Sequence, residues 1–581
     1  MAEPLTLTHE RVDDLPLLIG LMQRLGLPEL LDRHLGNHGH HEGFRNGWLA
    51  TIWLAFILSA GDHRKSVVQA WAERHRLTLE RFVGLPLRPV EFSDDRLGIL
   101  LHRFAQTPAW EALEAQLWPQ TRAVYPIEVT GVRLDATTAY GYHTATPEGL
   151  MQLGHSKDHR PDLPQFKLMA AAVEGTGHWL GCDVLPGQRA DDRLYLPLIA
   201  RVRATLDQMG VLYTGDSKMA SLATRARIVQ QHDYYLTILP RTGETRREID
   251  GWIDAAVDGA QPVSLLWGDA DQPAGQQRLL GYGYERERAL SALVDGERVE
   301  WQERVQVIRS LEMARSQSAA LEARLAKAQT ALRALTPPPG RGRRQIAEEA
   351  ALQTAVAAVL TQYRVTGLLQ VTWEREEEGV TRFVGRGRGG PERATRREVK
   401  VRYAVTGVER AETAIEAQRQ RLGWRVQVTN APAARLTLGQ AVIHYRGGAW
   451  LEQGFHRFKD RPLGIRPLFV RRDDQIIGLT RLLSLGMRLL TIAEMQVRRG
   501  LAEAQETLVG LYAGQPRRET AQPTTERLLE AFVKAEITLT RVELGREAQW
   551  HITPLPELLT RVLNYLGLSP SLYARLAENS S

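Results

Sequence analysis

Three carboxylates, far apart in the sequence, have surroundings that suit metal-ion chemistry. Asp135 lies in the run GVRLDATTAYGY, where an unpaired carboxylate would be costly if buried. Asp216 ends the apolar run VLYTGD, and Glu452 lies in YRGGAWLEQGFHRFK. Carboxylate oxygens are the ligands that Mg²⁺ and Mn²⁺ prefer, and a pair of such ions can activate a water or a 3′-hydroxyl to attack a phosphodiester. The three side chains are therefore candidate ligands for two metal ions.

The run around Glu452 predicts a helix that presents several groups suited to nucleic acid. Tyr445, Glu452 and Lys459 are seven residues apart, so on one continuous helix each is turned by about 20° from the last. That stripe offers a metal ligand, a phosphate clamp and flat surfaces for a displaced base. The alternative is a solvated helix face with a single ion pair. The candidates for DNA contact on this helix are Tyr445, Arg446, Trp450, Arg457 and Lys459.

Short β-rich runs and helices between residues 126 and 240 indicate an α/β layer that carries Asp135 and Asp216. Three strand patterns are followed by a helix, a strand, a helix and a strand, which is the order of a ribonuclease-H-like layer. Asp216 would end the fourth strand, at the edge where open α/β sheets place ligand-binding groups. Asp158 and Asp183 lie in the same region as alternatives to Asp135, but Asp158 belongs to a loop and Asp183 comes one strand later.

The remaining patterns predict a multidomain α+β protein. With 581 residues the chain is long enough for several domains, and a segment with its own strands and long helices is predicted to be a β-rich inserted domain. Ser93 is predicted to cap one helix of an amino-terminal helical module. The predicted domains are 1–125 for a helical DNA-binding or dimerisation module, 126–240 for the first part of the ribonuclease-H-like core, 241–425 for the insertion, 426–500 for the second part of the core, and 501–581 for a helical carboxy-terminal region.

Charge favours a polyanionic partner. The chain has 74 Lys and Arg against 68 Asp and Glu, and its sequence pI is near 9.3. Residues 382–402 alone carry eight Lys or Arg against two Glu, which fits either a solvated hairpin or loop or a nucleic-acid contact.

Three further cations lie near the predicted carboxylates. Lys157 and Arg160 belong to a polar loop that is either a charged turn or a contact to a DNA end. Lys218, two residues after Asp216, is either solvated or a cation beside the scissile phosphate.

Several classes of protein are disfavoured by what the sequence lacks. Cys182 is the single cysteine, which excludes an intramolecular disulfide and fits a reducing cytosol. The apolar run at 48–61 is shorter than the roughly 20 residues that span a bilayer, so a buried helix is expected there and no membrane span. The sequence has no phosphate-cradling P-loop and no dinucleotide fingerprint, so no nucleotide cofactor is expected.

The motifs around these residues resemble a known family. RLDATT, YTGDSKM and the Y-x6-E-x6-K spacing after a β-rich insertion resemble the D-D-E transposases of bacterial insertion sequences, in the branch with a Y-x2-R-x3-E-x6-K signature. SDDRLG, HSKDHRPDLPQFKL and GIRPLFVRRDDQIIGL are also similar to that branch, so the resemblance covers most of the chain. The signature's Arg falls on Gly448, and Arg446 is the candidate to supply the missing cation, which puts a hairpin route of excision in doubt.

The resemblance implies a function and a set of roles. Asp135, Asp216 and Glu452 would bind the metal, and Lys459 would grip a phosphate of the transposon end. The expected reaction is hydrolysis at the ends of the element, followed by attack of the 3′-hydroxyl on target DNA. Double-stranded DNA with terminal inverted repeats, target DNA and a second copy of the chain are the expected partners, in the bacterial cytoplasm.

Two alternatives stay open. One is a ribonuclease-H-like nuclease that cuts without strand transfer. The other is a catalytically silent DNA-binding protein derived from a transposase, against which the intact Asp, Asp and Glu argue.

Overall fold

The protein is a mixed α+β molecule in which helices surround a nine-stranded mixed sheet. The computed structural model describes residues 5–37, 39, 42–268, 277–340, 343, 345–386, 390–544 and 547–578, apart from the side chains of Glu244 and Glu547.

Helices form most of the amino-terminal region, as the apolar spacing predicts. They are α1 (Leu15–Arg24), α2 (Leu27–Leu35), α3 (Asn46–Ala60), α4 (Lys65–Arg74), α5 (Arg76–Val83), α6 (Asp94–Phe104) and α7 (Thr107–Val124). The apolar run gives the buried helix α3, as expected. Ser93 Oγ accepts a hydrogen bond from the Arg96 amide at 3.4 Å, so the predicted cap of α6 is confirmed. A departure is the strand β1 (Leu5–Arg11), which lies in residues predicted to be helical.

The central strands and helices follow the predicted order. They are β2 (Gly131–Tyr140), β3 (Gln165–Val173), β4 (Trp179–Pro186), α8 (Tyr195–Leu206), β5 (Leu212–Thr214), α9 (Leu222–Gln230) and β6 (Tyr234–Ile238). Strands β2, β3 and β4 pair antiparallel, whereas β5 pairs parallel with both β2 and β6. Strand β3 is buried along its whole length, which matches its mainly apolar sequence and includes the polar Gln165 and Lys167.

The elements of residues 241–425 lie in two places. The first set is α10 (Gly243–Val257), β7 (Ser264–Trp267), β8 (Leu279–Val294) and β9 (Glu297–Ser310). The second set packs around an apolar core of its own and comprises α11 (Leu311–Ala334), α12 (Glu349–Gln362), β10 (Leu369–Phe383), β11 (Thr395–Arg410) and α13 (Glu412–Gln420). Strand β12 (Trp424–Thr429) then returns between β6 and β9. The sheet order is β4-β3-β2-β5-β6-β12-β9-β8-β7, so β7 to β9 extend the central sheet.

Two helices, rather than one, carry Tyr445, Glu452 and Lys459. Helix α14 (Leu438–Arg446) ends before Gly447, and α15 (Ala449–Lys459) begins after Gly448. The prediction of one continuous helix is therefore wrong. Two consecutive glycines favour an interruption, because each costs a helix interior about 1 kcal/mol relative to Ala.

The longest helix, α16 (Asp473–Ala504), follows α15. By length and composition alone it could cross a membrane, and 94% of its apolar stretch is buried within the protein.

The carboxy-terminal region, predicted to be helical, also contains strands. Its elements are β13 (Leu508–Val509), β14 (Glu519–Thr520), α17 (Thr525–Lys534), β15 (Thr538–Leu544), β16 (Glu547–Ile552), α18 (Glu557–Tyr565) and α19 (Ser571–Ala574). Strand β15 pairs with β16 and with β1, giving a three-stranded antiparallel sheet that joins the two ends of the chain. Because the partner of β1 lies near the other terminus, local spacing does not reveal this strand.

Candidate active site

Asp216 follows the end of β5 and lies level with Asp135 on the neighbouring parallel strand β2. In the ladder between β2 and β5, Arg133 is opposite Thr214, and the two aspartates each come two residues further along. Helix α15 begins beside this edge and carries Glu452 in its first turn. The three carboxylates line one cavity of about 250 Å³. The structure thus brings the three predicted metal ligands to one place.

Asp135 is held by its own backbone and by a lysine. Its Oδ1 accepts hydrogen bonds from the Ala136 amide at 2.7 Å and from Lys157 Nζ at 3.1 Å. Burial raises the pKa of Asp135; the Lys157 ammonium lowers it, and the charge of Asp216 raises it further. Lys157, predicted to contact a DNA end, is therefore an ion-pair partner of a candidate metal ligand in this structure.

Asp216 is held by a tyrosine. The Tyr195 hydroxyl donates to Asp216 Oδ1 at 2.8 Å, and the Lys218 amide donates to the same oxygen at 2.8 Å. Burial and the charges of Asp216 and Asp135 raise the pKa of Tyr195 well above its usual value, so the hydroxyl keeps its proton and stays a donor. Tyr195 on α8 is absent from the sequence-based candidates, and only its position in an apolar helix could have drawn notice.

Glu452 is exposed and lies across the cavity from the two aspartates. Its place in the first turn of α15 puts its negative charge near the positive end of the helix dipole. In the part of the chain that the structure describes, no three His, Cys, Asp or Glu side chains are grouped closely enough to hold a metal ion. As arranged, Asp135 and Asp216 each give an oxygen to a protein donor, and Glu452 stands apart from them.

Arg133 is a residue of this cavity that the sequence-based candidates do not include. It is mostly buried, and it donates to the carbonyl oxygens of His444 at 2.5 Å and Tyr445 at 3.2 Å. Its Nε is 2.8 Å from Glu174. A side chain at Gly448 would begin only 3.1 Å from the Arg133 guanidinium. Arg133 therefore lies against the position at which the Y-R-E-K signature places its arginine.

Tyr445 and Arg446 line the same cavity from the end of α14. Burial raises the pKa of Tyr445 to about 12, with the charge of Asp216 as a further cause. The Tyr445 ring lies 5.3 Å from the Arg425 guanidinium carbon. Arg446 donates to Ser310 Oγ at 2.7 Å, which turns its guanidinium towards the end of β9.

Trp450, by contrast, is not among the residues that line the cavity. Its side chain is 37% exposed, and its ring lies 5.7 Å from the Arg498 guanidinium carbon.

Lys459 is part of a buried ion cluster beside the cavity. Its Nζ donates to Asp158 Oδ1 at 2.6 Å, and Arg466 lies 3.4 Å from the same oxygen. Burial lowers the pKa of Lys459, while the hydrogen bond to Asp158 opposes that change. Since Asp158 follows Lys157, one loop binds both Asp135 and Lys459.

Arg457 points away from the cavity. Its guanidinium is buried, lies 2.7 Å from Glu526 and also bonds Glu494, so it joins α15 to α16 and α17. These contacts give Arg457 a role in packing in the free protein.

The remaining predicted residues are at the surface or paired elsewhere. Arg160 pairs with Asp162 at 2.7 Å and lies over the Tyr140 ring at 5.4 Å. The Lys218 side chain is exposed. Asp183, an alternative ligand, pairs with Arg201 at 2.6 Å and is not among the cavity-lining residues.

The chain has a distant likeness to known structures. Neither the protein-family models nor the curated proteins gave a match to this chain. Among solved structures, the chain is similar to one in a cryo-EM structure of the piggyBac transposase synaptic complex with hairpin DNA, with a TM-score of 0.32 and 7% sequence identity. The likeness covers 97% of this chain and 86% of that one.

Proposed function

We propose that the protein is a DNA transposase of a bacterial insertion sequence, of the branch with the Y-R-E-K signature. It would hydrolyse phosphodiesters at the ends of the element and transfer the freed 3′-hydroxyl to target DNA. The observation that carries the proposal is the convergence of Asp135, Asp216 and Glu452, from two strands and a distant helix, on one polar cavity. These three residues lie in RLDATT, YTGDSKM and the Y-x6-E-x6-K run, the motifs that resemble the family.

The topology supports the finer proposal of a ribonuclease-H-like core. The order β4-β3-β2-β5-β6 has an antiparallel first group and parallel following strands, with a helix before and after β5. In that arrangement neighbouring strands present carboxylates at the same edge, which is the requirement of the proposed chemistry.

The chemistry of the three carboxylates suits Mg²⁺, or Mn²⁺ as a substitute, and Glu452 would have to move closer to the two aspartates to share an ion with them. Asp135 and Asp216 supply hard oxygen ligands, and they lie close enough for one charge to raise the pKa of the other carboxyl. Glu452 would complete the set. A bound divalent ion, or a pair of them, supplies a polarised water and stabilises the leaving oxygen. Lys157 now holds Asp135 Oδ1, so its ammonium competes with a metal ion for that carboxylate.

Other residues of the site suit the binding of a phosphodiester. Arg133 and Arg446 bring positive charge to the cavity wall, and Tyr445 adds an aromatic face. Lys157 and Arg160 would contact the DNA end. Lys459 would bind a phosphate of the transposon end, and Lys218 would lie beside the scissile phosphate. The proposed partners are double-stranded DNA with terminal inverted repeats, target DNA and a second copy of the chain that binds the other end, all in the bacterial cytoplasm.

The experiment that tests this proposal is cleavage of a labelled duplex that carries the end of the element, in Mg²⁺. Wild type is compared with Glu452→Gln, which keeps the side-chain size and removes one ligand charge. The matched control is Glu312→Gln, since Glu312 is also an exposed glutamate in the first turn of a helix, α11. We expect wild type and the control to cut, and Glu452→Gln to bind the duplex without cutting it.

The products separate the proposal from its alternatives. Joined strands support a transposase, whereas cut ends that never join to target DNA indicate a nuclease. Binding by wild type without any cutting indicates a silent DNA-binding protein. Equal cleavage by Glu452→Gln would exclude Glu452 as a ligand.

A further inference from the structure

Strands β10 and β11 form a two-stranded arm whose outer part is open to solvent. The inner part, from Leu369 to Trp373, packs on α11 and α12. Beyond it, the β10 side chains from Glu374 to Phe383 are exposed, except for the half-buried Val380. At about 3.3 Å per residue this outer part is roughly 30 Å long. In the described part of the chain, β10 and β11 form a sheet of their own and do not pair with the nine-stranded sheet.

The net charge of the chain is concentrated in the segment that includes the outer part of this arm. Residues 382–402 hold eight Lys or Arg and two Glu, a net charge equal to the +6 of the entire chain. All other residues together are therefore balanced in formal charge. Residues 387–389 lie outside the described part of the structure, and the surface defined below does not include them.

The cations at the base of the arm are neutralised, but three of those near its end are not. Near the end, Arg382 pairs with Glu398 at 3.2 Å. At the base, Arg402 pairs with Glu376, and Arg375 pairs with Glu377. Arg386, Arg396 and Arg397 are exposed and make no ion pair with any other residue that the structure describes. Three unpaired guanidinium groups on a narrow ribbon repel one another, so an anionic partner is needed to offset their charge.

Apolar side chains lie beside these arginines. Phe383, Val384 and Val399 are each more than half exposed. In a ladder where Thr381 is opposite Arg397 and Gly379 is opposite Val399, Phe383, Arg397 and Val399 lie on one face. A two-stranded ribbon has the dimensions to enter the major groove of B-DNA, where arginines reach phosphates and apolar groups contact base edges.

We propose that the arm tip, defined as Arg386, Arg396, Arg397 and Phe383, is a binding surface for duplex DNA, separate from the carboxylate cavity. The inference rests on the proposed function, because it assigns part of the DNA binding that a transposase requires. The arm tip contacts phosphates through its arginines, so its contribution is independent of DNA sequence and strongly dependent on salt. Glu374 and Glu378, both exposed on β10, repel the phosphates and confine the contact to the tip.

The test is the affinity of the full chain for a fluorescent mixed-sequence duplex, measured across a series of salt concentrations. The arm variant combines Arg386→Ala, Arg396→Ala and Arg397→Ala. The control variant combines Arg247→Ala, Arg315→Ala and Arg333→Ala, which removes the same charge from exposed positions outside the arm. A third variant replaces the three arm arginines with Lys and shows whether charge alone suffices.

We expect the arm variant to bind at least about tenfold more weakly than the control, and the slope of log affinity against log salt to fall by up to about 3, near 0.9 for each lost contact. The Lys variant should keep most of that slope. Equal binding by the arm and control variants would overturn the proposal, as would a wild-type chain that binds single-stranded RNA of equal length through the arm but not the duplex.

The proposed function and the arm tip fail in different ways. Asp216→Asn should bind the mixed-sequence duplex with the wild-type salt slope while it loses cleavage. Loss of cleavage by wild type itself would overturn the transposase proposal and leave the binding measurement intact. If wild type cleaves the duplex and the arm variant has the same slope of log affinity against log salt as wild type, only the proposed role of the arm tip is overturned.

Discussion

Lys157 Nζ donates a hydrogen bond to Asp135 Oδ1 across 3.1 Å, so a protein cation holds one of the three carboxylates of the cavity. The same ammonium also bonds the Ala136 carbonyl. The next residue, Asp158, binds Lys459 on α15. This loop therefore links the sheet edge to the helix that carries Glu452, and a metal ion and Lys157 would compete for the same oxygen.

Lys157→Ala should strengthen the binding of Mn²⁺ in the absence of DNA. The variant removes a competing positive charge whose interaction at this partly exposed site is worth about 1 kcal/mol, or about fivefold in affinity. Titration of Mn²⁺ followed by electron paramagnetic resonance measures the change. Lys218→Ala is the control, because the exposed Lys218 bonds Asp216 through its backbone amide. Weaker Mn²⁺ binding in Lys157→Ala would contradict the competition.

Tyr195→Phe should slow cleavage by about tenfold, because a hydrogen bond to a carboxylate is worth about 1.5 kcal/mol or more. The ring would remain in its buried place, while Asp216 Oδ1 loses a donor at 2.8 Å. The readout that separates positioning from general damage is the Mn²⁺ concentration required for half-maximal cleavage, which should rise. An unchanged metal requirement together with normal cleavage would show that Tyr195 only packs.

Gly448→Ala should raise the stability of the fold and impair the site. Gly448 precedes α15 with φ −61° and ψ −12°, a conformation open to Ala, so the change reduces the freedom of the unfolded chain and stabilises the fold by up to about 1 kcal/mol. The new methyl group, however, would lie 3.1 Å from Arg133 Nη1 and push the guanidinium from its carbonyl partners. Thermal unfolding and cleavage rate measured on one preparation should move in opposite directions. Reduced stability with unchanged cleavage would contradict this account.

Arg457→Met should destabilise the fold by about 2 kcal/mol, because it removes a buried guanidinium that bonds both Glu494 and the partly exposed Glu526. Glu494 keeps Arg498 as a cation at 2.7 Å, so the loss is smaller than for a buried carboxylate left alone. Urea unfolding measures the loss. If Arg457 also binds DNA, as the sequence predicts, the folded fraction of the variant should show reduced affinity as well. Wild-type affinity of that fraction would confine Arg457 to packing.

Asp14 should make stability fall as the pH rises from 3.8 to about 7, the window between its unfolded and folded pKa values. Burial raises its pKa from 3.8 to about 7, so the folded state binds this proton more tightly than the unfolded chain does. The stabilisation is complete below 3.8 and is lost as the pH passes about 7, with a total on the order of 4 kcal/mol. Asp14→Asn should remove this dependence, and the difference in unfolding free energy between variant and wild type should grow with pH. A difference that is constant with pH would contradict the assignment.

Local sequence patterns were sufficient to predict the central strands and helices. They were not sufficient to predict the contacts between elements that are far apart in the chain. The alternation and apolar runs around Asp135 and Asp216 predict β2 to β6 in the right order. They do so because the burial of each of these elements is visible in the pattern of its own side chains. Strand β1 escapes prediction, since its pairing with β15 depends on residues at the far end of the chain. For the same reason Arg133 and Tyr195 were missed: each acts through a contact with a residue from another element.

The Glu452 helix shows a different limit. Seven-residue spacing predicts a common stripe only if the helix is unbroken, and Gly447 and Gly448 interrupt it. Glu452 nevertheless lines the cavity, because α15 packs beside the sheet edge whatever the course of α14. Lys459 Nζ bonds Asp158, and Lys459 is not among the residues that line the cavity. Its contact with a phosphate stays a prediction.

Strands β9 and β12 are paired at the point where the 311–422 segment leaves and rejoins the central sheet. The Ser310 amide donates to the Gly423 carbonyl at 2.9 Å, and Arg309 lies opposite Trp424 in an antiparallel ladder. The 311–422 segment, with its own apolar core and the basic arm, thus enters and leaves the sheet through two adjacent points. A short turn could close this gap and leave all nine strands in place, whereas removal from residue 241 would take away β7 to β9. The part of the chain that could be removed or replaced without loss of a strand of the central sheet is therefore residues 311–422. It is shorter than the stretch between Asp216 and Glu452.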